Sequence, residues 1–147
     1  MAAQPSVHPA VAVFDYMGRI DNHVRASVMA GLPAGVSYAQ YEVLRHLDRY
    51  GDGQTPAEIA RALDAPKSAL TNTLQRLESA GLARLEPSAE DARKKLIWLT
   101  PAGREVYLGA VAAMRPRMER LREAFTLGEF RDALPFLKAL NAWFEDT

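Results

Sequence analysis

Lys67, Ser68, Thr71, Asn72, Gln75 and Arg76 follow one another at alternating steps of one and three residues, and no acidic residue stands between Lys67 and Arg76. On a helix this spacing gathers all six, with Ser79 beyond them, on the face opposite Leu70, Leu74 and Leu77. These side chains suit nucleic-acid recognition. Amides pair bidentately with adenine, hydroxyls serve base or backbone, and cations take phosphates. A second group lies downstream, where the charged turn Glu90-Asp91-Ala92 leads into three consecutive cations, Arg93, Lys94 and Lys95. Each group has a plainer reading: any solvated helix face is polar, and a charged loop tip keeps an edge strand from pairing. The acid-free helix face followed by a basic turn favours a surface that grips nucleic acid.

Catalysis finds little footing. His8, His23 and His46 lack metal-ligand spacing, and there is no cysteine to join them. Flanked by Leu44 and Leu47 on a packed helix, His46 reads as a partly buried structural histidine. There is neither a glycine-rich phosphate loop nor a nucleophile elbow. Asp15 with Asp21, and Asp48 with Asp52, are better explained by helix-surface and turn roles than as acid pairs. The expectation is a protein that is not an enzyme and has no metal and no cofactor.

Local signals define the elements that carry the two groups. Thr55 and Glu58 form a capping box, and Pro56 occupies the first helical position, where its missing N–H is harmless. Asp64-Ala65-Pro66 breaks the chain between two helices. Gly81 follows the second helix, where a left-handed cap is easiest for glycine. Two short apolar runs, Leu82 to Leu85 and Leu96 to Leu99, flank the basic turn as a hairpin. The predicted fold is mainly α with a small β-hairpin wing: a winged helix-turn-helix core flanked by N- and C-terminal dimerisation helices. Residues 1–35 would form a tail and dimerisation helix, 36–100 the winged module and 101–147 the C-terminal dimerisation helices, all in one compact domain.

The stretch from about Val36 to Gly103 resembles the MarR family of winged helix-turn-helix transcriptional regulators. The residues that carry the resemblance are Tyr41-Glu42-Val43-Leu44, Thr55 to Leu63, Ser68-Ala69-Leu70-Thr71 and Leu77-Glu78-Ser79-Ala80-Gly81-Leu82. Asp91-Ala92-Arg93 and Leu99-Thr100-Pro101-Ala102-Gly103 complete it and are its most specific parts. The resemblance implies a homodimeric regulator, a repressor in most cases, that binds a pseudo-palindromic operator in double-stranded DNA. It would place the outward face of the second helix in the major groove and Arg93 in the minor groove, with Lys94 and Lys95 on the backbone. Asn72 stands where the family usually has a basic residue, which bears on base preference. The family often binds small aromatic or anionic effectors between the dimer helices and the module. Here Tyr16, His23, Tyr38, Tyr41, Trp98 and Arg104 would line such a cleft, although each is equally well explained by core packing. The alternative function is a winged-helix protein-interaction module that docks another protein on the same outward face.

Outside the core, the pattern is helical. Phe14, Met17, Val24 and Val28 mark a first helix from about His8 to Ala30. A capping box of Ser37 and Gln40 opens the next, and Val36 can staple onto Tyr41. Tyr107, Val111, Met114, Met118, Leu121 and Phe125 make a narrow seam, with Pro116 expected to bend the helix. Thr126 and Glu129 cap a terminal helix, in which Pro135 threatens a second kink. Arg115, Arg117, Arg120 and Arg122 read as a solvated or cross-subunit pairing face. The chain has 147 residues and a formal net charge of zero, although Lys67 to Lys95 holds six cations and four acids. A neutral whole implies weak non-specific binding, so affinity should depend on sequence and dimer geometry. No cysteine means no disulfide and no thiol-based oxidant sensing. No apolar run reaches the ~18 residues that span a membrane, and Met1 to Ala10 lacks a signal-peptide pattern, so the expectation is cytoplasmic with no membrane partner.

Overall fold

Helix α1 (Pro9–Ala30) leads through a glycine-proline turn into α2 (Tyr38–Tyr50), α3 (Pro56–Leu63) and α4 (Lys67–Ser79). The hairpin strands β1 (Ala83–Pro87) and β2 (Lys95–Leu99) follow, and then α5 (Pro101–Ala124) and α6 (Leu127–Glu145). The computed structural model describes residues 6–147. Residues 1–5, the start of the expected N-terminal tail, lie outside the described residues. The chain separates into two compact units, Met1–Ala113 and Met114–Thr147, with the boundary inside α5.

In the first unit, Val43, Leu44 and Leu47 of α2 meet Ile59 of α3, the Leu70–Leu74–Leu77 stripe of α4, and Ile97 of β2 in one core. Most of these side chains are fully buried, each removing ~1.5–3 kcal/mol of apolar surface from water. The helix starts are fixed locally. Capping boxes at Ser37–Gln40 and Thr55–Glu58 are both complete. α3 ends on Asp64 at φ +50°, with Ala65 N–H donating to Ala60 O and Asp64 N–H to Arg61 O. α4 ends in the same way on Gly81 at φ +73°, where Leu82 N–H donates to Leu77 O at 2.9 Å and Gly81 N–H to Glu78 O at 3.0 Å. This paired arrangement satisfies two orphan carbonyls and turns the chain sharply, as a helix-turn-helix and the strand after it require.

The hairpin is antiparallel, with Leu85 opposite Ile97 and Pro87 opposite Lys95. Lys95 is therefore the first residue of β2 and not part of the turn, because the turn closes one residue earlier with Ser88 N–H donating to Lys94 O at 2.8 Å. Gln54 adds a one-residue third rung beside Ile97. After the hairpin, Thr100 ties α5 to the end of α4: its hydroxyl donates to Gly81 O at 2.7 Å and accepts from Gly103 N–H at 3.0 Å.

In the second unit, Thr126 and Glu129 complete a capping box and Phe125 meets Phe130 edge to face at 6.4 Å. Helices α5 and α6 run without interruption through Pro116 and Pro135. No residue of α6 is buried. No helix among the described residues is long and apolar enough to cross a membrane.

Candidate nucleic-acid interface

The exposed face of α4 divides into two rows. Lys67, Thr71 and Gln75 occupy positions i, i+4 and i+8 and line a groove of about 790 Å³. Across it stand Arg93, Lys94 and Lys95 of the wing, with Glu58 and Arg61 of α3 and its cap residue Thr55 also in the lining. Ser68, Asn72 and Arg76 form the second row, exposed on α4 and outside the groove lining. The structure thus brings three of the six helix residues together with all three wing cations. The other three share one outward helix face.

Thr71 Oγ1 donates to Lys67 O at 2.9 Å, so its hydroxyl is left as an acceptor and its methyl as an apolar contact. That combination suits an exocyclic amine or a thymine methyl. Two carboxylates also line the groove, and each is held by backbone. Glu58 accepts from Thr55 N–H at 3.1 Å, and Glu78 accepts from Leu85 N–H at 3.3 Å. Their engagement moderates the negative charge that they bring to a phosphate-binding surface.

At the wing tip, Arg93 is the most exposed of the paired cations, with its side chain 91% accessible. Asp91 holds it in place by accepting from Arg93 N–H at 3.0 Å and from Nε–H at 3.2 Å. These two bonds, the backbone one first, hold the Asp91 carboxyl below the usual carboxylate range. The aspartate-x-arginine spacing thus holds the Nε and Nη2 side of the guanidinium on Asp91 and leaves Nη1 outside that pairing.

Sequence reasoning missed Arg61 of α3 and its cap residue Thr55, which join the groove only through the tertiary arrangement. Pro66 is the residue before α4, and no side chain caps the helix's first turn. α1, α2, α3 and α6 each have a side-chain cap, so α4 alone among these presents bare first-turn amides, the type of group that takes a phosphate.

The six residues expected around an effector cleft do not form one lining. Tyr38 and Tyr41 meet ring to ring at 5.7 Å, and Tyr107, read in the sequence as a seam residue, joins them 5.9 Å from Tyr41. Arg25 lies 4.5 Å over Tyr38. Burial pushes the Tyr41 hydroxyl above its ordinary value. Elsewhere, Tyr16 is 63% exposed beside Arg19, and His23 is exposed. Trp98 packs on Gly53, and Arg104 pairs with Asp48 at 3.2 Å. His46 is 7% exposed and bonds Gln54 Oε1 at 2.7 Å, a structural role. Gln54 Nε2 donates to Gly51 O, so its oxygen is the acceptor and His46 Nε2 carries the proton. No group of three His, Asp or Glu among the described residues is placed to hold a metal.

Two helices at a tight turn, an exposed polar face on the second, and a hairpin tipped by a pinned arginine define a winged helix-turn-helix. The MarR family profile matches residues 34–94, the stretch that holds α2, α3, α4 and most of the hairpin, and this part of the chain is similar to that family. The transcriptional regulator HosA of Escherichia coli is 36% identical over 73 residues, which cover 49% of this chain and 53% of that protein. The chain thus spans about half the length of the curated relatives it matches, and those relatives are transcriptional regulators. Among solved structures, a mutant of Escherichia coli MarR complexed with operator DNA matches with a TM-score of 0.78 and 22% identity. That match covers 93% of this chain and 99% of the other. The PcaV regulator of Streptomyces coelicolor, in complex with its natural ligand, matches with a TM-score of 0.75 and 17% identity over 97% and 98% of the two chains. At these identities the two structures speak to the fold.

Proposed function

We propose that this protein is a sequence-specific DNA-binding transcriptional regulator, a repressor that binds a pseudo-palindromic operator as a homodimer. The observation that carries the reading is the groove in which Lys67, Thr71 and Gln75 face Arg93, Lys94 and Lys95. A major-groove helix needs side chains that reach base edges, and a wing needs a cation for the adjacent minor groove or backbone. The bare amides at the start of α4 add a phosphate site at the mouth of the same surface. Ser68, Asn72 and Arg76 complete the reading face. The operator-bound state of the structurally similar MarR adds support.

The homodimer rests on exposed apolar surface. Val11, Val13, Tyr16, Met17, Ile20 and Val24 of α1 are all at least 36% exposed. Phe130, Leu134, Phe136, Leu137 and Trp143 of α6 are exposed too. Apolar surface on this scale, on each of the two helices, marks an interface, and a second copy of the chain is the occupant we propose for it. Two modules on one dimer would then meet two half-sites about one helical turn apart. A small-molecule effector would release the DNA, with the Tyr38–Tyr41–Tyr107 ring cluster among its candidate contacts. The ligand-bound state of PcaV is the parallel that supports such release.

Fluorescence anisotropy against the intergenic DNA flanking its own gene, with scrambled DNA as competitor, tests the reading. Competitor-resistant binding by two subunits per site, weakening steeply with salt, is expected. A shallow salt dependence with no preference over the scrambled DNA would favour the protein-interaction module instead.

A further inference from the structure

Thr71 stands at the centre of the groove-facing row, one helical turn from Lys67 on one side and from Gln75 on the other. It is exposed, and it is the only β-branched residue among the six outward residues of α4. Its hydroxyl has one proton, and that proton is given to Lys67 O at 2.9 Å. A phosphate oxygen only accepts, so it would have to compete with the Lys67 carbonyl for the same proton. Thr71 is therefore poorly suited to grip the DNA backbone, a task for which Lys67, Arg93 and Lys94 stand around it. The guanine edge, which offers N7 and O6 as acceptors, is a poor match on the same ground.

The bond to Lys67 O also selects one of the two rotamers open to a helical threonine, and so fixes where the methyl stands. The fold makes no use of that methyl. Serine would make the same bond, and the core below α4 is already closed by Leu70, Leu74 and Leu77. Thr73, the other threonine of α4 that bonds back to the helix, is half-buried, with its hydroxyl on Ala69 O at 3.0 Å. Thr71 differs in carrying its methyl on the exposed face. The other exposed α4 side chains of the groove, Lys67, Gln75 and Glu78, all end in polar groups.

In the major groove the one apolar group on a base edge is the 5-methyl of thymine. We propose that Thr71 reads a thymine in each half-site by contact between its methyl and the thymine 5-methyl, and that its hydroxyl serves to hold that methyl in place. This role rests on the reading of α4 as the helix that enters the major groove. Removing one methyl from water is worth about fourfold in affinity, so two half-sites give about fifteenfold.

Selection of binding sites from random double-stranded DNA by the full chain supplies a sequence, which is then resynthesised with each thymine replaced in turn by deoxyuridine. The replacement keeps the base pair and removes only the methyl. Anisotropy should show one thymine per half-site whose replacement weakens binding about fourfold. Thr71→Ser should bind the unmodified site about fifteenfold more weakly and become indifferent to deoxyuridine at that position. Thr71→Val, which keeps a methyl and gives up the hydroxyl, should keep the sensitivity, and so should Ser68→Ala. A purely structural role for Thr71 would lower the affinity of Thr71→Ser and leave the deoxyuridine effect untouched, and that outcome overturns the assignment. So does an enriched sequence in which no thymine responds. A Thr71→Val protein that loses affinity for every sequence alike would mark a phosphate contact and overturn it too. Failure to enrich any sequence would instead refute the regulator reading, and the thymine contact with it.

Discussion

The same substitution at two glycines of α5, six residues apart, should move stability in opposite directions. A Cβ on Gly103 would overlap the Leu82 carbonyl oxygen, stand 2.9 Å from its carbon and meet Leu99 Cδ1 at 3.0 Å. The obstacle is backbone that also accepts from Thr100 N–H at 3.3 Å, so it cannot yield by a rotamer change. Forcing a group into such a site costs about 1–3 kcal/mol, and a backbone obstacle belongs at the upper end. Exchanging glycine for alanine in a helix returns about 1 kcal/mol. The net loss for Gly103→Ala is therefore about 2 kcal/mol, which for a chain of this length lowers Tm by roughly 4–8 °C. Gly109 has nothing within 4 Å of its added Cβ. Gly109→Ala keeps only the helix gain and should raise Tm by roughly 2–4 °C. Thermal unfolding by circular dichroism, at one fixed protein concentration, reads both changes. A Gly103→Ala protein as stable as the parent would refute the claim that close approach of α5 to the end of α4 requires glycine.

Other perturbations address the proposed DNA surface. Arg93→Ala should weaken binding to operator and scrambled DNA alike and reduce the salt slope by about one, measured by anisotropy at several salt concentrations. Asn72→Ala should instead change the ranking of operator variants, by about 1–3 kcal/mol at the base pair it meets; equal loss on every sequence would make it a phosphate contact. Asp91 carries a pH signature. Its folded-state value is lowered, so its tie to Arg93 is fully present above the ordinary carboxylate range and is lost only as pH falls through that lowered value. The Arg93 Nε–H resonance should accordingly stay fixed through neutrality and move only in acid, and a transition near neutral pH would contradict the pairing.

What the sequence revealed was mainly local. Capping boxes at Ser37, Thr55 and Thr126 depend on residues three apart, and Gly81 on the helix just before it, so all four were visible without tertiary information. The Leu70–Leu74–Leu77 stripe fixed which face of α4 is outward, and hence which six residues are exposed. Whether an exposed residue also faces the wing depends on how the hairpin packs. The sequence therefore grouped Thr71 with Asn72, where the structure sets them in different rows. Arg61 was invisible for the same reason. Lys95 was assigned to the turn because charge marks a loop only loosely, while the register that makes it a strand residue is set by its pairing with Pro87. The aromatic cluster shows the same limit, since Tyr107 is 66 residues from Tyr41 and met it only in the fold.

The longest-range bond behind the wing explains how a two-stranded hairpin, marginal by itself, can present Arg93 at a fixed position. Both of its outer edges are covered. On β1, Leu85 N–H reaches the Glu78 carboxylate of α4. On β2, Ile97 exchanges backbone bonds with Gly53 and Gln54, and Leu99 N–H reaches Asp52 Oδ1 at 2.7 Å. The wing is thereby tied to α4 on one side and to the exit of α2 on the other. Asp52→Ala isolates one of these ties. Leu99 would lose its acceptor, a net loss of about 1 kcal/mol, so its amide should exchange with solvent roughly fivefold faster. Ile97 keeps its backbone partner and should exchange as before. Equal acceleration at both amides would mean that the hairpin opens as a unit and that Asp52 anchors the whole wing. No change at Leu99 would mean that water replaces the carboxylate without loss and that the β2 edge is held by Gln54 alone.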